Sequence, residues 1–373
     1  MPGNVLQLFG GNPDIVPLLD GEAHHRRKEL LLHAFSREAI ASYLPRLQLS
    51  IETLLGRLAA RGEGPVTADL KALAIEAVTG CVMGVAPGPD LDALLADYSL
   101  ILQAASALPI PLPGTAYSAG LAARDRILTR LAAIVAAHQE AAGVGAATSN
   151  DGLSRILAAR AADGSQLTAG QAAREMHHFV LAGVIVFGEL VATLLQLDRN
   201  PQVRDRLAAE VVAASPSGPV TPAALRMMPV LDHVVMELKR LTPIVAISFG
   251  RAKQDLSLRG FVIPRGWLLL VGVGESNRTA LYTEPDKFDP ERFSDERAEQ
   301  NRHRHAFTPQ GAGNLTEHHK CAGYDFSTVV MQLFAVLLLR GYKWSVPAQE
   351  LAMNHKAIPP EHKSGLVVRL TKL

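Results

Sequence analysis

Cysteine is scarce in this sequence, and its charges balance. The 373 residues include two cysteines, Cys81 and Cys321, which are too few for a disulfide framework. Lys and Arg total 37 against 36 Asp and Glu, so no overall field attracts nucleic acid or an anionic membrane. The first residues also lack the basic segment and apolar core of a secretion signal. Together these absences predict a cytoplasmic protein with reduced thiols and no nucleic-acid partner.

Long uninterrupted apolar runs are missing as well. The most apolar stretch, residues 179–197, is interrupted by Glu189 and preceded by His177 and His178. Its length would suit a membrane span, but an internal acid and two flanking histidines favour a buried central helix. We therefore predict no membrane span.

The apolar periodicity divides the chain into a helical part and a β part. Residues 20–213 are rich in Ala and Leu at three- and four-residue spacing, which is typical of helices. Thr168 and Gln171 form a capping-box pattern that predicts a helix running unbroken to about residue 197. Short β-type runs follow Pro243. We predict a mainly α fold with a minor β part in one domain, residues 1–373. Its helical body covers about 20–243 and 322–340, and its small β part about 244–273 and 341–373.

The segment most indicative of chemistry is a Gly-rich loop that leads into Cys321 at the start of a helix. A helix N-terminus lowers the pKa of a thiol, and a metal completes its deprotonation. Gly311 and Gly313 permit close approach of the backbone to a flat cofactor. A lone cysteine is more often a small buried core residue. Other motifs therefore have to decide between the two interpretations.

Those other motifs occur in a fixed order before Cys321. Glu237 and Arg240 share one face of a helix, and the segment Pro290-Glu-Arg292-Phe293 precedes the Gly-rich loop and Cys321-Ala-Gly323. This order resembles the cytochrome P450 family over nearly the whole chain. The resemblance implies a P450-like fold, haem b as cofactor and Cys321 as the ligand of its iron. It also implies a buried network of Glu237, Arg240 and Arg292 that supports the cysteine loop.

The resemblance further implies where the cofactor's carboxylates are held. Asp20-Gly-Glu-Ala-His24 with Arg27 and Lys28 resembles the segment whose His and basic residue contact a haem propionate. His24 and Lys28 match best, and Arg27 is a substitute. Arg251 and His319 correspond to two further propionate contacts, because charge-assisted bonds suit carboxylates. Gly311, Gly313 and Gly323 are expected beside the cofactor.

The loop length points to a branch of the family. Fourteen positions separate Phe307 from Cys321, whereas ordinary bacterial members have seven. The long loop resembles the bacterial fatty-acid peroxygenases, which use hydrogen peroxide and need no reductase, and also the allene oxide synthases. The Arg-Pro pair that holds the substrate carboxylate in peroxygenases is replaced by Leu181 and Ala182. We expect these two residues on the haem face, with no acid or alcohol there and no assigned catalytic residue.

Two polar residues of the same helix, His178 and Glu189, lie at helical spacing from Ala182. A buried polar contact is the more typical role for each, so neither is assigned to catalysis. The resemblance also places the family's first helix and strands before Asp20, where only a short stretch is present. We therefore expect an incomplete small sheet.

These observations leave four functional hypotheses. The first is a haem-thiolate oxidoreductase that hydroxylates a small or medium apolar substrate, with peroxide as oxidant. The second uses dioxygen with external NAD(P)H-fed partners such as ferredoxin and its reductase. The third is a reductase-free isomerase or dehydratase, and the fourth is a haem-binding protein without turnover.

Overall fold

The protein is mostly helical, with small β-sheets. The computed structural model describes residues 3–143, 150–357 and 359–373. Its α-helices are α1 (Gly3–Leu8), α2 (Gly21–Leu32), α3 (Arg37–Arg61), α4 (Thr67–Met83), α5 (Pro89–Ala105), α6 (Ala116–Gly143), α7 (Gly152–Ala158), α8 (Ala169–Gly183), α9 (Phe187–Arg199), α10 (Pro201–Ala214), α11 (Pro222–Arg226), α12 (Pro229–Leu241), α13 (Val273–Ser276) and α14 (Tyr324–Gly341). The predicted class, mainly α with a minor β part, is confirmed.

The central helix begins as predicted but does not run unbroken. Thr168 and Gln171 form the complete capping box, each side chain bonding the other's backbone. Helix α8 then ends at Gly183, and a 3₁₀ turn, Val184–Val186, joins it to α9. Three consecutive β-branched side chains crowd an α-helical turn. The same place is tightly packed, since a Cβ on Gly183 would lie 2.4 Å from Cγ2 of Val78.

Helix α14 follows the cysteine loop and lies in the hydrophobic core. Leu333, Phe334, Val336 and Leu338 are fully buried, which fits a helix surrounded by α3, α9, α10 and α12. This helix and the stretch from Ala169 to Arg199 are long and apolar enough to cross a membrane. However, 67% of each apolar window is buried inside the protein. Burial of that kind is typical of core helices.

The strands form four small sheets. They are β1 (Glu63–Pro65), β2 (Ile247–Arg251), β3 (Leu256–Leu258), β4 (Phe261–Ile263), β5 (Leu268–Gly272), β6 (Tyr342–Ser345), β7 (Met353–Asn354), β8 (Glu361–His362) and β9 (Val367–Lys372). The sheet orders are β1-β9-β6, β2-β5, β3-β4 and β7-β8. All pairs are antiparallel, and Gly64 lies opposite Val368 in the first sheet. Strand β1 lies inside the segment predicted as helical, because only its distant partner β9 makes it a strand.

The sheet made of β2 and β5 stands away from the core. All five residues of β2 are exposed, and the apolar side chains of Ile247, Leu268 and Leu270 are more than half exposed. Apolar strands are normally covered on at least one face. Within the described residues, this sheet has no such cover.

Candidate active site

A cavity of about 390 Å³ lies between the central helix and the cysteine loop, which we define as residues 307–323. Its walls come from α2, α4, the α8–α9 region, the segment before β2 and the start of α14. Most of its surface is apolar, and it includes Leu31, Phe35, Val78, Phe179, Val186 and Phe326. Such a cavity suits a flat or elongated apolar molecule.

Cys321 lies in the wall of this cavity, three residues before α14 begins. Its backbone N–H donates to the carbonyl of Gln310 at 2.9 Å, which closes the loop behind the sulfur. Burial raises the pKa of the Cys321 thiol, although a bond from the Gly323 backbone and the ammonium of Lys239 act to lower it. The thiol would therefore depend on a bound metal ion for its deprotonation.

The wall facing Cys321 is formed by the bend in the central helix. Ala182 is exposed in the middle of this otherwise buried helix, and Gly183, Ile185 and Val186 line the cavity beside it. None of these four residues carries an acid or an alcohol. Leu181, which we expected on the same face, lies in the hydrophobic core instead. Adjacent residues of a helix point about 100° apart, and here Ala182 faces the cavity whereas Leu181 does not.

The sequence left open whether His178 of the same helix reaches the cavity, and the structure places it in the cavity lining. His178 lines the wall, and its Nδ1 is 3.2 Å from Oε2 of the fully buried Glu175. The other carboxylate oxygen of Glu175 accepts bonds from Arg27 and from the backbone N–H of Val16. Because a carboxylate only accepts, the hydrogen is on Nδ1. The spacing of His178 and Glu175 is the signal that could have revealed this pair.

Basic residues gather at one edge of the cavity. The rings of His24 and His319 lie 4.0 Å apart, and both residues line the cavity. Burial, followed by the charges of His319 and Lys28, lowers the pKa of His24 to about 4, and burial also lowers the pKa of His319. The ammonium of Lys28 donates to the carbonyls of His318 and Lys320, the latter at 2.6 Å. Lys28 therefore ties α2 to the cysteine loop on both sides of His319.

Three other predicted contacts, Arg251, Arg27 and Gly313, lie outside the cavity lining. Arg251 is exposed on β2 and donates to the carbonyl of Gly266 at 2.6 Å. Arg27, the substitute, is bonded to Glu175 and Asp14. Gly313 has a φ of +89°, and a Cβ there would meet the ring of His318 at 2.7 Å. Glycine at position 313 therefore allows the cysteine loop to fold back against His318, and it does not contact the cavity.

Gly311 and Gly323 do line the cavity. Gly311 has a φ of +91°, and a Cβ there would lie 3.2 Å from the backbone of His319 and Lys320. Gly323 precedes α14, where a Cβ would meet Cys321 Sγ only at 3.9 Å. The close approach of the backbone of residues 319 and 320 therefore requires glycine at position 311, whereas the spacing around position 323 does not require glycine.

The structure brings Glu237, Arg240 and Arg292 together in a fully buried network. Arg240 donates to both carboxylate oxygens of Glu237 at 2.7 and 2.9 Å, and Arg292 donates to Glu237 at 3.0 Å. Arg240 also donates to the carbonyl of Asn277, whose side-chain oxygen accepts the backbone N–H of Thr308 at 3.1 Å. This chain of bonds joins the network to the start of the cysteine loop.

A further buried cation, Lys239, is the neighbour of Arg240 in the chain, and the sequence did not indicate a role for it. Lys239 is fully buried and donates to side chains of three different parts of the chain. One of them is Gln310, whose amide nitrogen is 3.8 Å from Sγ of Cys321. The only signal in the sequence is a lysine within a helix segment that is otherwise buried.

The donor set suits an iron porphyrin. A thiol faces a bare alanine across an apolar cavity, and histidine rings stand at one edge, where carboxylates would need hydrogen-bond donors. The exposed Ala182 leaves open the space that a planar group would fill. Cys321 would hold the iron, and His24 and His319 would contact the carboxylates.

Comparison with known proteins agrees with this arrangement. The family model described as "Cytochrome P450" matches residues 8–367. The chain is 29% identical over 366 residues to cytochrome P450 120 of Synechocystis sp., covering 97% of this chain and 80% of that protein. It is 25% identical to cytochrome P450 26B1 of Danio rerio, covering 87% of this chain and 65% of the relative.

Solved structures show the same fold. Retinoic acid-bound cyanobacterial CYP120A1 superposes with a TM-score of 0.90 at 28% identity, covering 100% of this chain and 84% of that one. Cytochrome P450EX alpha (CYP152N1) with myristic acid superposes with a TM-score of 0.78 at 23% identity, covering 100% and 83%. The similarity to CYP152N1 shows a shared fold and nothing more.

Proposed function

The chain belongs to the cytochrome P450 family of haem b-binding oxidoreductases, and we propose that it hydroxylates an apolar molecule with hydrogen peroxide as the oxidant. The supporting observation is the apolar cavity, with Cys321 in one wall and Ala182 exposed in the facing wall. In the proposed reaction, R–H and H₂O₂ give R–OH and H₂O. One C–H bond and one O–O bond break, and no external electron donor is consumed.

The residues of the site have distinct proposed roles. When bound, haem b supplies the redox-active iron, and a thiolate ligand favours O–O cleavage. Cys321 provides that ligand, while His24 and His319 hold the carboxylates at the edge. Lys28 keeps α2 on the cysteine loop through two carbonyls. Glu237, Arg240 and Arg292 hold the loop through Asn277 and Thr308.

The apolar wall opposite Cys321 favours peroxide over dioxygen. Reduction of dioxygen requires two electrons and fixed proton donors, whereas peroxide arrives already reduced. Ala182, Gly183, Ile185 and Val186 provide no donor. Proton transfer would then fall to water, to the substrate or to His178, which lines the same cavity.

We propose a long apolar carboxylic acid as the substrate class. The related CYP120A1, 28% identical over the whole chain, was solved with retinoic acid bound. The cavity lining offers apolar contacts from Phe35, Phe179 and Ile244, with His178 as a polar contact. Because Nδ1–H bonds Glu175, Nε2 of His178 is the acceptor nitrogen of the ring and has no partner among the described residues. It therefore suits the O–H of an undissociated carboxylic acid.

Turnover assays decide between the oxidants. The haem-loaded protein is incubated with retinoic acid and either hydrogen peroxide or NADPH, ferredoxin and ferredoxin reductase, and the products are separated by chromatography. We expect hydroxylated product with peroxide alone. Product only with the reductase system would establish the dioxygen mechanism. Conversion of a hydroperoxide without any oxidant would indicate an isomerase or dehydratase, and no product in any arm a haem-binding protein without turnover.

The contact at His178 can be tested by ligand binding. Retinoic acid and its methyl ester share one apolar body, but only the undissociated acid has an O–H that can donate to Nε2 of His178. We expect His178→Leu to weaken retinoic acid binding roughly fivefold, as expected for loss of about one net hydrogen bond, and binding of the ester less. Binding is followed by the shift of the Soret band. Equal weakening of both ligands would argue against a hydrogen bond between His178 and the acid.

A further inference from the structure

A buried ion pair lies close to Cys321, behind two residues of the cavity lining, Gln310 and Ser327. Lys239 of α12 and Glu189 of α9 are both fully buried, and Nζ of the lysine is 3.4 Å from Oε2 of the glutamate. Gln310 of the cysteine loop and Ser327 of α14 complete the group. We call these four residues the proximal lysine cluster.

Every donor of the lysine has a partner. Nζ donates to Oε1 of Gln310 and to Oγ of Ser327, both at 2.8 Å, and to Glu189. An ammonium group has three hydrogens, so these three bonds satisfy it completely. The cluster thus joins the central helix, the helix of the buried arginine network, the cysteine loop and α14.

These bonds determine the orientation of the Gln310 amide. An ammonium group cannot accept a hydrogen bond, so the amide oxygen must face Lys239 and the NH₂ group must face the other way. That group lies 3.8 Å from Sγ of Cys321 and 3.3 Å from Oγ of Ser327. The lysine therefore directs an N–H donor toward the sulfur.

Stability alone does not explain the cluster. Apolar side chains of similar volume often replace a buried ion pair without loss of stability. Here the pair is also incompletely satisfied, since Oε1 of Glu189 has no hydrogen-bond partner among the described residues. An electrostatic effect of the pair on the neighbouring sulfur would explain why charged residues occupy these two positions.

We propose that Lys239 sets the electron-donating strength of the Cys321 thiolate, by directing the Gln310 amide to the sulfur and by placing a positive charge near it. Glu189 opposes the lysine with a negative charge. Both the N–H donor and the cation stabilise negative charge on sulfur, and a stabilised thiolate donates less to iron. Lys239 is thus a positioning residue. The inference depends on the haem-thiolate assignment but not on the choice of oxidant or substrate.

The test measures the Fe(III)/Fe(II) midpoint potential of haem-loaded variants by spectroelectrochemistry. Lys239→Met should shift the potential to more negative values, because the cation and the fixed amide are lost. Glu189→Gln should shift it to more positive values, because the cation remains and the opposing charge is gone. Opposite signs from two members of one ion pair are the expected result.

A third variant separates charge from structure. Lys239→Met combined with Glu189→Leu leaves no lone buried charge, so this protein should fold even if Lys239→Met alone does not. We expect its potential between those of the two single variants, with a thiolate-type carbon monoxide spectrum. Lys71→Met is the matched control, since Lys71 also pairs with a glutamate, Glu361, and neither residue lines the cavity that contains Cys321. Its potential should equal that of the unmodified protein.

Several results would overturn the inference. Shifts of the same sign in both single variants, or no shift in Glu189→Gln and in the double variant, would remove the electrostatic role. Loss of haem from all three variants would assign the cluster to loop folding alone. If even the unmodified protein lacked the thiolate spectrum, the failure would lie in the ligand assignment instead.

Discussion

The two walls of the cavity differ in the groups that they bury. The wall at the bend of the central helix presents Ala182, Gly183, Ile185 and Val186, and only His178 adds a polar contact farther along. Behind the wall that contains Cys321 lies the fully buried ion pair of Lys239 and Glu189, and Arg240, the residue next to Lys239, belongs to the network with Glu237 and Arg292. Buried ion pairs therefore support the wall of the sulfur, whereas the wall at the bend is apolar.

The largest expected effect comes from removing the sulfur itself. Cys321→Ala should abolish the shifted Soret band of the reduced carbon monoxide complex, because that shift requires a thiolate ligand. Cys81→Ala is the control, since Cys81 is buried in α4 and burial raises the pKa of its thiol to about 12. A variant at Cys321 that keeps the band would refute the ligand assignment.

Breaking the buried arginine network should have the next largest effect. Arg240→Met leaves Glu237 buried with one of its cationic partners missing, which is expected to lower the free energy of unfolding by about 3–5 kcal/mol. Arg278→Met removes an exposed partner of Asp286 and should cost no more than about 1 kcal/mol. Urea denaturation of the two variants measures the difference. Similar losses of unfolding free energy in the two variants would mean that the buried network contributes no more to stability than the exposed ion pair.

Acid should destabilise the central helix through His177. This ring is fully buried between the hydroxyl of Tyr98 and the carbonyl of Leu8, and burial lowers its pKa to about 4. A depressed pKa favours the folded state above the unfolded value of about 6.5 and loses that contribution as the pH falls toward 4. The loss reaches about 3 kcal/mol below pH 4, at about 1.4 kcal/mol for each pKa unit.

The control for this prediction is His177→Gln, which keeps hydrogen-bonding capacity without a titrating ring. Its free energy of unfolding should fall less steeply between pH 6.5 and 4 than that of the unmodified protein. Urea titrations at a series of pH values provide the slopes. An unchanged slope would show that other groups, such as His24, dominate the acid response.

A smaller effect is expected at the cavity edge. Lys28→Met should weaken haem binding roughly tenfold, as expected for loss of a charged hydrogen-bond donor, because Lys28 joins α2 to the cysteine loop. Arg251→Met should change the affinity for haem by less than about twofold, since Arg251 donates to the carbonyl of Gly266 outside the cavity lining. Haem transfer to apomyoglobin gives the dissociation rates. A larger effect of Arg251 would restore the role that the resemblance implied.

The sequence could predict the parts of the fold and site that depend on local pattern. Helical periodicity, the capping box at Thr168 and the order of Glu237, Arg240, Arg292 and Cys321 were enough for the fold class and the family. Strand β1 could not be predicted, because its pairing partner Val367–Lys372 lies about three hundred residues away. The 3₁₀ turn at Val184–Val186 was also missed, because the sequence does not show that Gly183 packs against Val78, about one hundred residues earlier in the chain.

By itself, the sequence singled out Cys321 as the candidate thiolate, and its resemblance to the cytochrome P450 family implied the network of Glu237, Arg240 and Arg292 and haem b as the cofactor. That resemblance depends on residue type and spacing, which one dimension contains. Only the tertiary structure decided that Ala182 rather than Leu181 faces the cavity and that Glu175 orients His178. It also placed Lys239 close to Cys321, although its partners come from positions 189, 310 and 327. The physical reason is that burial and ion pairing depend on which distant segments pack together, and those contacts exist only after the chain has folded.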